Sequence, residues 1–425
     1  MLKEEVKQNK VFCMLPWIHM HIWPNGNVLP CCVADSDDVY GNVSNKTLKE
    51  VWNNEKYSEM RRKMLAGEQI DTCTRCYELE KKTNIYTLRQ SINHDMLDKH
   101  FDLVEDTNAD GTLNKTRMAY MDIRFSNICN MKCRTCGPEL SSTHAQEYVE
   151  MYGEEETAKI IGASEYKSPV ISVTADNINM WSDLEQYLMD VEEVYFAGGE
   201  ILITEEHYKL LDFWIENGKT DVKLRYTTNF SNFRYKKKSL FEYWQKFSDI
   251  KVSASIDTYG KRAEFMRWGT VWDVIEENRR QMLEHCPNVY FELTPTVSIY
   301  NVYSWPDLHR QWVNNGWLDT PNIRFNVLTF PDFMRIDNIP KEQKLELTKI
   351  YQRYHNWLEE RCPDPNQLKH YVSPAVSVLK FLRKNTGDTK KLKQFFEKNH
   401  ELDQYRKEDF WAVYPELDWL RNYVN

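Results

Sequence analysis

The sequence predicts an α/β fold, in which a partial, TIM-like (β/α)6 barrel follows a small cysteine-rich N-terminal domain and precedes a helical C-terminal extension. Short apolar strands alternate with helical stretches between residues 118 and 335. Cysteines are concentrated before and at the start of this region, since eight of the ten lie between positions 13 and 136. From position 336 to the end the pattern is helical and contains no assignable motif. These three observations predict the fold class and the order of its parts.

The predicted barrel contains six short apolar strands, namely Tyr120–Ser126, Glu193–Ala197, Val222–Thr227, Lys251–Ile256, Val289–Ser298 and Ile323–Thr329. Helical stretches lie between them, namely Glu205–Asn217, Lys236–Phe247, Val271–Glu284 and Trp305–Asn315. Repeated βα units indicate a parallel sheet covered by helices on its outer face. Six such units give an open barrel, whereas eight would close it. Residues 153–180 look like an insertion before the second strand.

The N-terminal domain, residues 1–82, is predicted to contain a hairpin and a helix. The turn Pro24–Asn27 joins the candidate strands Trp17–Trp23 and Val28–Cys32. A helix over Thr47–Ala66 follows.

Composition sets the remaining domain boundaries. Residues 83–117 are polar and rich in turn-forming residues, which predicts a linker. The barrel then occupies 118–335 and the helical extension 336–425.

Composition and charge exclude several classes of protein. The 425 residues carry a net charge of −9, which argues against broad electrostatic binding to nucleic acid or to an anionic membrane. No apolar run approaches the roughly 20 residues needed to span a bilayer. The first five residues have mixed charge, which is not typical of a signal peptide. A cytoplasmic protein is therefore predicted, and in that reducing compartment ten cysteines indicate metal binding rather than disulfides.

The most informative motif is CxxxCxxC, formed by Cys129, Cys133 and Cys136 directly after the first predicted barrel strand. A cubane iron–sulfur cluster normally takes four thiolates. Three cysteines on one loop would leave one iron open to a substrate or cofactor. A zinc site or three unrelated core cysteines are the alternatives. Loops at the carboxyl ends of barrel strands usually carry the chemistry, which favours the cluster.

A second group of cysteines lies in the N-terminal domain. Cys13, Cys73 and Cys76, together with one of the adjacent Cys31 and Cys32, supply four thiolates. Four thiolates ligate a cubane completely. Structural zinc is the alternative, because four cysteines that include one CxxC also form a common zinc pattern. Adjacent cysteines cannot both easily face one metal group.

The CxxxCxxC loop resembles that of the radical S-adenosylmethionine (radical SAM) superfamily. The segment Gly198, Gly199 and Glu200 after the second predicted strand is similar to the GGE element of that family, which binds the amino group of S-adenosylmethionine (SAM). Glycines allow close approach of the backbone to a ligand, and a carboxylate at Glu200 neutralises an ammonium group. A plain turn is the alternative for this segment alone.

Later strand ends carry further similarities to the same family. The resemblance assigns Asn229, Ser253, Ser255 and Asp257 to the ribose and amino-acid portions of SAM. Arg267 is a candidate partner for the carboxylate of SAM, since a guanidinium can donate two parallel hydrogen bonds to the two oxygens of a carboxylate. Helix caps or surface ion pairs are the alternatives for each residue singly.

The N-terminal cysteines resemble those of the twitch domain, a shortened relative of the SPASM auxiliary-cluster domain. The spacing from Gly26 to Cys31 matches that domain, so the resemblance assigns Cys31, with Cys13, Cys73 and Cys76, to an auxiliary cluster. In most relatives this domain follows the barrel, and its position here is permuted.

Two positions depart from the family pattern. Thr135 stands where many members have an aromatic residue that packs near adenine, and Ile201 stands where Pro often follows GGE. Neither change removes a cluster ligand.

The resemblance implies reductive cleavage of SAM to a 5′-deoxyadenosyl radical, which abstracts hydrogen from the substrate. It implies two [4Fe–4S] clusters and SAM as cofactors, and a reduced flavodoxin or ferredoxin as electron donor. An auxiliary cluster favours a two-electron oxidation or bond formation on a peptide or protein side chain, which relatives with such domains often modify. A small-molecule dehydrogenase is the alternative within this class. A non-catalytic iron–sulfur electron carrier is the alternative from another class.

Overall fold

The computed structural model describes residues 3–82, 86–161, 165–384 and 387–423. The chain divides into two compact units. The first contains Met1–Ile128, Ser168–Arg225 and Lys246–Asp249, and the second contains Cys129–Lys167, Tyr226–Gln245 and Ile250–Asn425. These units differ from the predicted domains, because the first takes in both the cysteine-rich segment and the first two predicted barrel strands.

The secondary structure is mixed α/β. The strands are β1 His21–Ile22, β2 Asn27–Leu29, β3 Gly41–Asn42, β4 Tyr120–Ile123, β5 Lys132–Cys133, β6 Glu193–Phe196, β7 Lys223–Thr228, β8 Arg234–Tyr235, β9 Lys238–Ser239, β10 Ile250–Ala254, β11 Arg267–Trp268, β12 Tyr290–Leu293, β13 Thr296–Val297 and β14 Asn326–Val327. The α-helices are α1 Lys3–Gln8, α2 Leu15–Ile18, α3 Leu48–Trp52, α4 Glu55–Leu65, α5 Thr74–Lys82, α6 Leu88–Met96, α7 Phe101–Glu105, α8 Ser142–Tyr152, α9 Glu154–Ile160, α10 Val173–Asp176, α11 Met180–Glu185, α12 Glu205–Glu216, α13 Leu240–Trp244, α14 Gly260–Met266, α15 Trp272–His285, α16 Trp305–Asn314, α17 Lys341–Glu359, α18 Leu368–Leu382, α19 Thr389–Arg406 and α20 Phe410–Val413. Short 3-10 helices lie at Asp71–Cys73, Ile201–Ile203, Asp332–Met334, Ile336–Asn338, Pro365–Gln367 and Pro415–Tyr423.

Eight strands, β1–β4, β6, β7, β10 and β12, belong to one mostly parallel sheet. The predicted α/β class is therefore confirmed, while the six-unit partial barrel stays a prediction. None of the described helices is long and apolar enough to cross a membrane.

In the first unit, the N-terminal segment is part of the sheet. Strand β1 pairs in parallel with β4, with His21 opposite Asp122, and forms an antiparallel hairpin with β2. Strand β4 in turn pairs in parallel with β6. Ile22 and Ile123 are both buried, so the joined strands share an apolar face. The cysteine-rich segment thus continues the sheet that contains the first predicted barrel strand.

The predicted linker, residues 83–117, contains the two helices α6 and α7 in its described part, and residues 83–85 lie outside the described residues. Thr87 and Gln90 form a capping box at the start of α6. Asn93 on α6 donates a hydrogen bond to the carbonyl of Phe12 at 2.8 Å and accepts one from the amide of Met14 at 2.8 Å. The described part of this segment therefore contains helices and supports the chain around Cys13, while its role as a linker between domains stays a prediction.

The second unit contains the parallel pair β10 and β12 and the parallel pair β13 and β14. The predicted strand Val289–Ser298 is interrupted between β12 and β13, where Pro295 has no N–H to donate. Strand β5, which carries Cys133, pairs antiparallel with β11. The fourth strand, predicted over Lys251–Ile256, ends earlier in the structure, because β10 stops at Ala254.

The C-terminal extension packs α17, α18 and α19 around an apolar core. Buried members of this core include Leu347 and Tyr351 on α17, Val378 on α18 and Phe395 on α19, and Ile299 from the loop after β13 also joins it. Residues 385–386 and 424–425 of the extension lie outside the described residues.

Candidate functional site

The four N-terminal cysteines assigned to an auxiliary cluster come together in the first unit. Cys13, Cys31, Cys73 and Cys76 line one small cavity. They come from different local structures: the loop before α2, the turn after β2, the end of a 3-10 helix and the first turn of α5. Separate segments of the fold thus converge on one site, and four thiols are a donor set that suits an iron–sulfur cluster.

Cys31 is the member of the adjacent pair that lines this cavity, whereas Cys32 is exposed to solvent. Cys31 is therefore the member of the pair that lies with Cys13, Cys73 and Cys76.

Burial raises the pKa of Cys13 and of Cys31 above the usual range, and it raises the pKa of Cys73 to about 12. Neighbouring thiols raise these pKa values further, because each thiolate disfavours another close to it. In the metal-free chain these thiols are protonated at neutral pH, so binding a metal group must release protons.

The chain around Cys13 is held by polar contacts from α5 and α6. Arg89 donates to the carbonyl of Phe12 at 2.8 Å and to a carboxylate oxygen of Glu80 at 3.0 Å. The hydroxyl of Tyr77 donates to the carbonyl of Val11 at 3.0 Å. The backbone on the N-terminal side of Cys13 is therefore fixed by side chains that the sequence analysis did not single out.

The CxxxCxxC loop begins the second unit. The amide of Cys129 donates to the hydroxyl of Ser142 at 3.2 Å, and the amide of Cys136 donates to the carbonyl of Cys133 at 3.0 Å. Cys133 is buried, while Cys129 and Cys136 are partly exposed. Burial raises the pKa of Cys133, although the guanidinium of Arg267 opposes that rise. Three thiols on one short loop fit a cluster that keeps one iron free of protein ligands.

Arg267 lies beside this loop because its strand pairs with that of Cys133. Its Nη1 is 3.7 Å from the Sγ of Cys133, and its Nε donates to Asp257 at 2.7 Å. The second carboxylate oxygen of Asp257 accepts from the amide of Thr296 at 2.7 Å. Sequence reasoning placed both Arg267 and Asp257 at the cofactor, and the structure brings them together with Cys133.

Asn229 also reaches the cysteine loop. Its amide nitrogen donates to the side-chain oxygen of Asn130 at 2.9 Å, and Asn130 donates to the hydroxyl of Ser231 at 3.0 Å. The loop after β7 is thereby bonded to the residue that follows Cys129.

Ser253 and Ser255 have different surroundings. The hydroxyl of Ser253 donates to Glu292 at 2.7 Å, within the buried part of β10 and β12. Ser255 lies beyond the end of β10, and its amide donates to the carbonyl of Thr228 at 2.8 Å. The structure does not place these two serines on one strand face with Asp257, because the strand ends between them.

The Gly198–Glu200 segment lies in the first unit and contacts the backbone of Ile128, the residue before Cys129. The amide of Glu200 donates to the carbonyl of Ile128 at 2.7 Å. Gly199 has φ +50°, and a Cβ there would lie 2.3 Å from the same carbonyl oxygen. Only glycine allows this approach. Glu200 is buried, and its carboxylate accepts from the amide of Leu202 at 3.2 Å.

A buried charged group next to this segment was missed by the sequence analysis. Asp122 on β4 lies 2.9 Å from the Nδ1 of His21 and 3.6 Å from the Nε of Arg124. Burial acts to raise the pKa of Asp122, but His21 and Arg124 outweigh it and lower that pKa to about 2. The side chain of Arg124 also packs over Gly198, where a Cβ would lie 2.9 Å from its Cδ. Alternating polar residues on the predicted strand Tyr120–Ser126 were the available signal.

Within the part of the chain that the structure describes, no group of three or more His, Cys, Asp or Glu side chains is arranged to hold a metal ion.

Comparison with known proteins identifies the N-terminal segment. Residues 13–77 match the family described as SPASM, an iron–sulfur cluster-binding domain. The match includes all four cysteines that line the N-terminal cavity. No curated protein sequence matches the chain.

Among solved structures, the chain is similar to native anSMEcpe with bound AdoMet, with 14% identity and a TM-score of 0.35 over 55% of this chain and 58% of that chain. It is also similar to native anSMEcpe with bound AdoMet and Cp18Cys peptide, with 13% identity and a TM-score of 0.32 over 55% of this chain and 57% of that chain. The matched part thus spans less than two thirds of each of these structures.

The SPASM match and the CxxxCxxC loop lie in different parts of the chain. The match covers the four N-terminal cysteines, and the loop follows a strand of the parallel sheet. Residues 13–77 are therefore similar to an iron–sulfur cluster-binding domain of the SPASM type.

Proposed function

We propose that the chain is an enzyme that binds SAM at a [4Fe–4S] cluster held by Cys129, Cys133 and Cys136 and cleaves it reductively. The observation that carries this proposal is the convergence of Asn229 and Arg267 on the cysteine loop, through Asn130 and Cys133. A cofactor bound at the open iron would meet an amide and a guanidinium already held by the fold.

When bound, the cluster and SAM supply hydrogen-atom abstraction from an unactivated carbon. The residues of this chain position and shield the reactants. Burial acts to lower the pKa of the Arg267 guanidinium, but Asp257 and Cys133 together outweigh it and raise that pKa, so Arg267 keeps its charge. That fixed charge suits it to hold a carboxylate near the loop. Gly198 and Gly199 provide close backbone approach, and the buried Glu200 provides a carboxylate for an ammonium group.

The four N-terminal cysteines are proposed to hold a second [4Fe–4S] cluster in which every iron has a protein ligand. Such a site exchanges electrons without opening a coordination position. A substrate that has lost a hydrogen atom must lose one more electron and one proton to complete a two-electron oxidation. The four-cysteine site is suited to take the electron, while the proton passes to a base or to water. A reduced flavodoxin or ferredoxin is the proposed donor for SAM cleavage.

The proposed reaction is a two-electron oxidation or a bond formation on a peptide or protein side chain. This substrate class is proposed from the similarity of residues 13–77 to a SPASM iron–sulfur cluster-binding domain, because the resemblance implies peptide or protein modification. Dehydrogenation of a small molecule is the alternative, since it needs the same electron acceptor.

The central experiment is anaerobic reconstitution, reduction with dithionite and chromatography for 5′-deoxyadenosine. We expect the product from the natural chain and none above background from Cys129→Ala. Equal amounts from both would refute the enzymatic proposal and leave an electron carrier as the better interpretation. An electron carrier does not need a SAM-binding element such as the Gly198–Glu200 segment. Glu200→Gln should therefore weaken SAM binding only if the enzyme proposal holds.

Iron and sulfide analysis tests the second site. About eight irons per chain would support two clusters, whereas about four irons with one zinc would support structural zinc at the N-terminal cysteines.

A further inference from the structure

We propose that the C-terminal segment is a positioning element for the CxxxCxxC loop, acting through the two cationic residues that flank Cys133. The residues of this element, called the brace below, are Asn399, Asp403, Arg406 and Glu408. This inference rests on the proposed cluster at Cys129, Cys133 and Cys136, and it assigns a role to a region in which the sequence shows no motif.

The first arm of the brace holds Arg134, the residue after Cys133. The Arg134 side chain is completely buried, and its Nη2 pairs with Asp403 at 2.5 Å and with Glu408 at 2.8 Å. Its Nη1 donates to the side-chain oxygen of Asn399 at 2.8 Å. The remaining Nε donates to the carbonyl of Phe265 at 3.3 Å, and the guanidinium lies over the ring of that residue. Each nitrogen of the guanidinium thus has a partner, which fixes its orientation.

The second arm holds Lys132, the residue before Cys133, through Glu147 on α8. Arg406 donates to both oxygens of Glu147, at 2.9 and 2.6 Å, and Lys132 pairs with the same carboxylate at 3.1 Å. The side chains of Arg406 and Glu147 are almost completely buried. The two neighbours of Cys133 are therefore tied to one C-terminal helix by separate routes.

The shape of the chain after α19 makes the first arm possible. Lys407 ends that helix with φ +57°, a left-handed conformation that is uncommon for a non-glycine residue. Lys407 caps the C-terminus of α19, and the next residue, Glu408, pairs with Arg134 at 2.8 Å. A strained residue at a helix end is typical of a conformation that surrounding contacts enforce.

The choice of charged residues in the brace and on either side of Cys133 is better explained by orientation than by packing. Apolar side chains on either side of Cys133 would bury the loop equally well, and buried ion pairs are often no more stabilising than such side chains. Ion pairs, however, fix the orientation of the side chain, because a guanidinium donates hydrogen bonds to carboxylates only within its own plane. A loop that supplies three ligands from eight residues must present its thiols in one orientation to leave the fourth iron open. The brace supplies that orientation from outside the loop.

The test uses the full-length, reconstituted protein and the double variant Asp403→Asn/Glu408→Gln. The matched control is Glu416→Gln, which removes a C-terminal carboxylate whose partner is Arg262 on α14, at 2.8 Å, rather than Lys132 or Arg134. Both proteins are compared with the natural chain for iron content, for the electron paramagnetic resonance spectrum of the reduced loop cluster with and without SAM, and for thermal unfolding.

We expect the double variant to lose at least half of the loop-cluster iron, or to bind SAM at least tenfold more weakly with a changed spectrum. The signal of the N-terminal cluster should be unchanged and serves as an internal reference. Glu416→Gln should keep iron, spectrum and SAM affinity. Iron content and SAM affinity within twofold of the natural chain in the double variant would overturn the proposal. A lower unfolding temperature in both variants with unchanged spectra would also overturn it, since that result shows a structural role only.

If the double variant does not fold, Glu147→Gln is measured in the same way, because it releases Lys132 and Arg406 while leaving the first arm intact. If the natural chain holds no cluster at the loop, the proposed function fails. The brace is then tested by alkylation of Cys133 in the metal-free chain, which should be faster in the double variant and equal to the natural chain in Glu416→Gln.

Discussion

The two cysteine regions of this protein reach a defined geometry by opposite routes. The N-terminal four come from separate segments spread between positions 13 and 76, and the tertiary fold gathers them around a cavity. The other three lie within eight consecutive residues, so the sequence alone keeps them close. Their orientation is controlled from outside, by Arg267 at Cys133 and by the C-terminal residues that hold Lys132 and Arg134.

This difference has a chemical consequence. Four converging thiolates can enclose a cluster, which suits electron exchange, whereas three thiolates on one loop leave an iron open. An enclosed site needs the fold to bring ligands together. An open site needs neighbouring residues that fix the orientation of the ligand loop while a cofactor binds at the exposed side of the loop. The supports of each region, α6 for Cys13 and the brace for Cys133, follow from these separate demands.

The strongest test of the comparison is a pair of ligand substitutions. Cys133→Ser should lower the iron content from about eight to about four per chain and abolish 5′-deoxyadenosine formation. Cys76→Ser should remove a similar amount of iron but leave SAM cleavage, because its site is proposed to take electrons from the substrate. Iron analysis and chromatography measure both effects. Loss of SAM cleavage in both variants would show that the two regions are not separate in function.

A second pair of substitutions tests the ligand set of the enclosed site. Cys31→Ser should lower the iron content by about four per chain, since a site with three thiolates is no longer closed. Cys32→Ser should keep the iron content of the natural chain, because its thiol is exposed and outside the cavity lining. The opposite result would assign Cys32 as the ligand and correct the position of this turn.

The backbone before the open site is tested by Gly199→Ala. The added Cβ would lie 2.3 Å from the carbonyl oxygen of Ile128, and the residue has a positive φ. We expect a destabilisation of about 2–4 kcal/mol, which combines backbone strain with displacement of the Ile128 carbonyl. Gly218→Ala is the matched control, since it has φ +68° but nothing within 4 Å, and it should cost about 1–2 kcal/mol. Urea unfolding measures both, and equal losses would mean that the contact with Ile128 is not important.

The smallest predicted effect concerns Asp122 in the sheet that contains β1. Its pKa falls from 3.8 to about 2 on folding, which corresponds to about 2 kcal/mol of stability. For a carboxylate with a depressed pKa, this contribution is present above about pH 4 and is lost as the pH falls toward 2. Asp122→Asn should therefore lower the free energy of unfolding at pH 6, and the difference from the natural chain should shrink at acidic pH. Urea unfolding of the chain before cluster reconstitution checks this, and a difference independent of pH would assign the effect to packing instead.

The sequence by itself determined the chemistry and the local elements of this protein. The CxxxCxxC spacing needs no tertiary information, because its ligands are neighbours along the chain. Strong apolar patterns also located β4, β6, β7 and β10 close to their observed bounds. Asn229, Asp257 and Arg267 were found from resemblance, and the structure brings all three to the cysteine loop.

Only the tertiary structure decided which distant residues meet. The pairing of β1 with β4, the choice of Cys31 over Cys32 and the contacts of Arg134 with Asp403 and Glu408 all join segments far apart in sequence. No local pattern encodes such contacts, since a buried charge is recognised only by its partner. Polar residues of the predicted linker, such as Asn93, likewise hold the chain around Cys13 through contacts between distant segments. The sequence thus supplied the candidate ligands, and long-range packing decides how they are held.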